Sequence, residues 1–194
     1  MRVLCAVPCF CESVRIDCVQ SLYGMRVPGE VDMHIEFFTG YGCAQARNKA
    51  ACRAIDGGYD AVLFLDSDQM IPIDTLEKLL ACNTDISAGW AMQAVLDNRT
   101  NISKYDQGRM YYEFILRNEL PAGVISVDAV GFACVLIKTS VLRKLPYPYF
   151  RYVEYPTRDV LSEDLYFCNT AKEHGFGILC DTSLKLGHVK SITV

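Results

Sequence analysis

Two carboxylates stand one residue apart in "AVLFLDSDQMIP", residues 61–72, directly after five apolar positions. If the apolar run is a strand and the chain stays extended beyond it, Asp66 and Asp68 point the same way, about 7 Å apart along the chain. Two like charges at one spot call for a cation. The hard divalent ions Mg²⁺ and Mn²⁺ take oxygen ligands. One or two carboxylates plus substrate phosphates commonly hold them, so a nucleotide diphosphate would complete such a site. The competing reading is a solvated strand end whose aspartate caps the next turn.

Other residues able to do chemistry are scattered along the chain. Arg47 and Asn48 lie in a segment of helical pattern, "SED" occupies 162–164, and "GHV" occupies 187–189. Acidic residues in a first helical turn are favoured by the helix dipole alone, so Glu163 and Asp164 have a structural reading beside a catalytic one. His34, midway along an alternating segment, and His174, at a helix end, read as structural or exposed. Ten cysteines sit inside apolar segments, which suggests reduced, mostly buried small side chains rather than a disulfide scaffold. The "CFC" of 9–11 lacks the paired spacing of a zinc site. Sequons at Asn98 and Asn101 matter only in a secreted chain.

These residues need a frame. "RVLCAV", residues 2–7, reads as a strand, "SVRIDCVQSLYGM" as a helix and "VDMHIEFF" as a half-buried strand. Residues 43–56 form a small-residue helix stopped by Gly57 and Gly58, and "AVLFL" is a strand of the kind buried on both faces in a parallel sheet. "PIDTLEKLLA" is the next helix, starting at Pro72, and 85–90 a further strand. Strand and helix alternate, which predicts an α/β sandwich with ligands at the carboxyl ends of the strands. After residue 96 the regularity changes. "LDNRTNISKYDQG" reads as a polar loop, "RMYYEFIL" as a strand, "VISVDAVGFACVLI" as one long or two abutting strands, and "TSVLRKL" as a short helix. "PYPYFRYVEYP" reads as a structured loop or flap whose Tyr147, Tyr149, Phe150 and Tyr152 offer rings to a sugar. Ser162 caps a helix that ends at His174 with Gly175 as its stop, and "FGILCD" is a last strand.

The bulk numbers bound the classes. At 194 residues, 51% apolar and 22% charged, the chain is expected to be one compact domain. A formal charge of −4, with no basic run, excludes an electrostatic footprint for nucleic acid. The longest apolar run, about eight residues, is far short of the roughly 20 that cross a bilayer, and Pro8 interrupts any signal-length core. The expected setting is cytoplasmic or peripheral to a membrane, with no integral segment.

Taken together, "VPCFCES", "AQARNKA", "FLDSDQMIP", "VGFACVLIKTSVL" and "SEDLYFCNTAKEHGFGILCDTSLKLGHV" resemble, in order, the motifs of the GT-A glycosyltransferases, particularly the family 2-like group. The resemblance covers nearly the whole chain. It implies a GT-A fold, Rossmann-like, with a mixed, mostly parallel sheet flanked by helices. Residues 1 to about 96 would form a nucleotide-sugar half, and about 97–194 an acceptor half. It implies transfer from a nucleotide-diphosphate sugar, a UDP-sugar before others, to a carbohydrate, lipid-linked or protein hydroxyl, with inversion and with Mn²⁺ or Mg²⁺. Asp68 would ligate the metal, Asp66 the metal shell or the ribose, and His188 would be the third ligand. Pro8, Phe10, Arg47, Ser67, Trp90 and Gly131 would contact the donor, Trp90 alternatively being core. Asp164 would be the general base, with Glu163 orienting it or the acceptor.

Two departures leave the base open: "EFFTGYG" offers Thr39 where the family usually has an aspartate, and Cys11 replaces an asparagine. Two rivals remain. A nucleotidyltransferase would be expected to carry a Gly-rich basic loop near the N-terminus, and "VPCFCES" has neither glycine nor lysine. A non-catalytic sugar-nucleotide binding module would not need the carboxylates and histidine together. A cysteine-based metal or redox protein stands further off.

Overall fold

The computed structural model describes residues 1–9, 13–94, 98–106, 111–157 and 159–188. The chain runs β1 (Arg2–Cys9), α1 (Ile16–Gly24), β2 (Asp32–Thr39), α2 (Cys43–Asp56), β3 (Ala61–Leu65), β4 (Gln69–Met70) and α3 (Thr75–Ala81). It continues with β5 (Ile86–Trp90), β6 (Met92–Ala94), β7 (Arg99–Asp106), β8 (Tyr111–Leu116), β9 (Val124–Val127), β10 (Ala129–Val130), β11 (Cys134–Lys138) and α4 (Thr139–Leu142). The last elements are β12 (Val153–Glu154), β13 (Val160–Leu161), α5 (Glu163–Glu173), β14 (Ile178–Lys185) and β15 (Gly187–His188).

Alternation along the strands builds the layers. On β1, Leu4 and Ala6 face one core while Val3, Cys5 and Val7 face the other. On β3 the split is Val62 and Phe64 against Ala61, Leu63 and Leu65, and on β11 Val135 and Ile137 against Cys134 and Leu136. A strand whose both faces are apolar must be covered on both sides. Residues of α2, α4 and α5 cover the first face, and those of α1 and α3 the second. The strand order in the seven-stranded sheet is β2-β1-β3-β11-β5-β14-β9. β2, β1 and β3 are parallel, and β11 is antiparallel to both β3 and β5. β14 runs parallel to β5, and β9 antiparallel to β14. Five strands therefore share one direction, and β11 and β9 oppose them. Strands from both halves of the chain interleave in the same sheet.

Three expectations need correction. The "polar loop" at 96–108 is mostly β7, which pairs with β6, β8 and β10 in a second, antiparallel sheet. Its buried positions include Thr100 and Ser103, so apolar alternation is missing from the sequence; the Thr100 hydroxyl is satisfied by donating to the Ile115 carbonyl at 2.7 Å. "VISVDAVGFACVLI" is three strands, β9, β10 and β11, because Asp128 and then Gly131–Ala133 interrupt it between two sheets. Within the aromatic flap, Tyr149 and Phe150 are core, leaving Tyr147 and Tyr152 exposed.

The nine described cysteines are free thiols, six of them buried. No helix among the described residues is long and apolar enough to cross a membrane.

Candidate functional site

The parallel strands end on one edge of the sheet, and the elements that follow them supply the site. Asp66 comes directly after β3, and His188 follows β14. Gly131–Ala133 precede β11, whose Cys134 pairs with Leu65 at that same edge. The N-terminal turns of α2 and α5 bring Arg47 and the pair Glu163 and Asp164 to it.

Arg47 is the hub. It is 2% exposed, and its side chain reaches three carboxylates from three segments. Nη2 donates to Asp66 Oδ1 at 2.8 Å, and Nη1 donates to Glu163 Oε1 at 2.8 Å and to Asp164 Oδ1. The guanidinium lies 5.1 Å from the Phe132 ring centroid. Phe132 belongs to a cluster with Phe64, Phe150 and Phe167, in which Phe150 and Phe167 stack at 4.9 Å. Burial works against a charged guanidinium, but Asp164, Asp66 and Glu163 outweigh it and hold its pKa above the usual arginine range. Arg47 is thus not a surface charge but is committed to three carboxylates.

The acids respond to the same burial. Asp66 is raised above the ordinary carboxylate range by desolvation, with Arg47 pulling back. Asp164 is pushed up to about 6, again by burial first, with Arg47 opposing and Glu163 adding to the rise. Its second oxygen accepts from the Phe132 backbone N–H at 3.2 Å. A methyl group on Gly131 would stand 3.6 Å from that oxygen and 3.3 Å from Asn101 Cβ. Glycine leaves that approach open. Ser162 caps α5 by accepting from the Leu165 N–H at 3.4 Å, which fixes the turn carrying both acids.

The extended geometry expected of Asp66 and Asp68 does not occur. Gln69 N–H donates to the Asp66 carbonyl at 3.1 Å, so residues 66–69 form a turn and the carboxylates diverge. Asp66 turns to Arg47. Asp68 turns to His188, whose Nε2 lies 2.9 Å from Asp68 Oδ2. Two-residue pairing of β15 with β4, Gly187 opposite Met70 and His188 opposite Gln69, delivers the histidine across 120 positions of sequence. His188 Nδ1 is 3.2 Å from the Met92 carbonyl. A carbonyl can only accept, so Nδ1 carries a proton, and in the neutral ring Nε2 then presents its lone pair to Asp68. Two acceptors facing each other at that distance need a proton or a cation. Among the described residues, no three of His, Cys, Asp and Glu are grouped as a ready-made cage. An imidazole nitrogen and a carboxylate converging on one point nonetheless fit a divalent ion that completes its shell with water and phosphate.

The remaining candidates separate. Pro8 is buried in β1 opposite Phe38, and Ser67 accepts from the Arg15 N–H at 3.1 Å through its carbonyl. Phe10 lies outside the described residues. Trp90 is core, 5% exposed, donating from Nε1 to the Thr182 carbonyl at 2.8 Å. His34 meets Tyr59 and Asp32, and His174 the Thr170 carbonyl, both away from the site.

Two residues have positioning roles that the sequence did not assign. Asn48 brackets the Phe150 main chain, donating to its carbonyl at 2.6 Å and accepting from its N–H at 3.1 Å. Asn101 accepts from the Ala91 N–H at 2.9 Å and donates to the Gly131 carbonyl at 2.9 Å. Asn48 carried a signal, adjacency to Arg47; Asn101 carried none, lying in what reads as a loop.

This architecture, a mixed and mostly parallel sheet with acidic groups gathered at its carboxyl edge, is the GT-A fold. Solved structures agree. The chain is similar to A197 from STIV over 98% of its length and 87% of that chain, at 22% identity and TM-score 0.66. It is similar to GalNAc-T7, crystallised with UDP, GalNAc and Mn²⁺, over 98% of its length at 10% identity and TM-score 0.58. It is also similar to S. aureus TarS over 96% of its length at 14% identity and TM-score 0.59. GalNAc-T7 and TarS are glycosyltransferases, and the chain spans only 44% and 36% of those two structures. No family model and no curated protein matches the sequence.

Proposed function

We propose that the protein is a metal-dependent glycosyltransferase, moving a sugar from a nucleotide-diphosphate sugar, a UDP-sugar before others, to a hydroxyl acceptor with inversion. The observation that carries this is the bridge made by Arg47. One buried guanidinium joins Asp66, on the Asp68–His188 side of the site, to Asp164, beside the open Gly131.

In this reading Asp164 is the general base. It takes the proton of the acceptor hydroxyl as the oxygen attacks the anomeric carbon; the bond from that carbon to the diphosphate breaks and the nucleoside diphosphate leaves with the electron pair. A base held up to about 6 is ionised at neutral pH yet basic enough to receive a proton. Arg47 holds Asp164 through one oxygen and leaves the side facing Gly131 for the acceptor. Glu163 shares the same guanidinium and thereby fixes its orientation. Asp68 and His188 would hold Mn²⁺ or Mg²⁺, the imidazole favouring Mn²⁺, with Asp66 in the outer shell; when bound, the ion stabilises charge on the departing diphosphate. Residues up to about 96 would serve the donor and those after it the acceptor, with His188 returning to the donor side. Free thiols suit a cytoplasmic setting, or the periphery of a membrane.

Calorimetry with UDP, GDP and dTDP and their sugars in Mn²⁺ tests the proposal. At least one nucleotide binds the wild type and is lost in Asp68→Ala. Failure of every nucleotide to bind with any divalent ion overturns it.

A further inference from the structure

Tyr152 is 54% exposed, yet its backbone is fixed on both flanks. On one side Asn48 brackets Phe150, whose ring stacks on Phe167 of α5. On the other, β12 pairs with β13 in the register Val153 opposite Leu161. That register sets Tyr152 opposite Ser162, the cap of α5 and the neighbour of Glu163. Burial first, and then the nearby Glu163 carboxylate, hold the pKa of the Tyr152 hydroxyl above the usual tyrosine range, so the polar tip lies toward Glu163 while much of the ring is left to solvent. Tyr147, 67% exposed on the same flap, adds a second ring. An aromatic face held rigid at a wet site is suited to one kind of partner: a flat, weakly polar surface with hydroxyls at its rim.

Charge narrows the choice. Glu163 and Asp164 stand where the acceptor hydroxyl must arrive, Arg47 is already committed to both, and Arg151, the cation next to Tyr152, lies over the Tyr166 ring, so an anionic group brought to Asp164 would meet repulsion.

We infer that Tyr152 is the stacking platform of the acceptor site and that the acceptor is a neutral saccharide, its ring face on the tyrosine and one hydroxyl directed to Asp164. This rests on the transferase reading. Glu163 then has two tasks, orienting Arg47 and holding the platform, and Asn48 ties the platform to the helix that carries Arg47.

The test compares wild type, Tyr152→Ala, Tyr152→Phe and, as a surface control, Tyr23→Ala. Each is applied with UDP and Mn²⁺ to an array of immobilised neutral and acidic glycans and to an array of Ser/Thr peptides, and UDP–Mn²⁺ binding is measured on the same samples. Wild type and Tyr23→Ala retain neutral glycans. Tyr152→Ala loses retention roughly tenfold, and Tyr152→Phe, which keeps the ring, stays within about threefold. With a retained glycan as acceptor, Tyr152→Ala raises its KM more than it lowers kcat. Equal retention by Tyr152→Ala, preference for peptides or acidic glycans, or no glycan retention in a sample that binds UDP each overturns the platform. A wild type that binds none of UDP, GDP and dTDP with any divalent ion overturns the transferase reading itself, and the two failures are thereby told apart.

Discussion

Replacing Arg47 by methionine keeps the volume of the stem and removes the charge that three carboxylates share. The loss leaves Asp66, Glu163 and Asp164 facing one another on the Phe132 side of the sheet, where Glu163 is 6% exposed. Three charge-assisted hydrogen bonds summed singly would overstate the effect, because the acids relax together. Removing one partner of a buried ion pair costs about 3–5 kcal/mol, and in a chain of this size each kcal/mol moves Tm by roughly 2–4 °C. Arg47→Met should therefore melt about 6–20 °C below wild type at pH 8. The deficit should depend on pH with a definite sign. Asp164 already titrates in the folded chain near 6, above the ordinary 3.8, with Arg47 pulling it down; without Arg47 it rises further. A carboxyl whose folded pKa exceeds its unfolded value binds a proton in the folded state first, so stability grows as pH falls through the interval between the two. The melting deficit of Arg47→Met should thus shrink from pH 8 toward pH 5. Calorimetric melting across that range measures it. A deficit under about 2 °C at pH 8, or one independent of pH, would refute the assignment of Arg47 as the charge that holds the acids together.

Asp164→Asn should lower kcat by roughly 10²–10⁴, the usual contribution of a general base, while UDP–Mn²⁺ affinity read by calorimetry stays within about twofold; a parallel loss of affinity would make the residue structural. In the wild type, kcat should fall below about pH 6 as Asp164 takes up a proton, and a flat profile down to pH 5 contradicts its role as base. His188→Ala should weaken Mn²⁺-dependent UDP binding, as Asp68→Ala does, whereas unchanged Mn²⁺ titrations would leave the pair as a structural contact. Phe150→Ala removes a ring that is 1% exposed and stacked on Phe167, and should cost about 3–5 kcal/mol in denaturant unfolding; a loss below about 1 kcal/mol would mean the cluster is not packed as described.

Periodicity made the central sheet legible, because β1 and β3 are apolar on both faces and a covered parallel sheet accommodates that. Where inward positions are hydroxyls, as at Thr100 and Ser103 of β7, the pattern vanished and the strand was hidden. Asp66, Asp68, Asp164 and His188 were visible as residue types capable of metal and proton chemistry, and their order along the chain suggested the fold. Their pairing was not visible. A turn at 66–69 sends neighbouring aspartates to different partners, and a hydrogen bond within four residues depends on local dihedrals that composition does not encode. The link of Arg47 to Glu163 and Asp164 spans 116 and 117 positions, and that of His188 to Asp68 spans 120. Contacts so distant arise only when the strands are ordered and β15 lies on β4. The sequence by itself determined which side chains could do the chemistry and which faces must be buried; the tertiary structure alone decided that one buried guanidinium would hold both sides of the site together, since burial is what removes the water that would otherwise separate its partners.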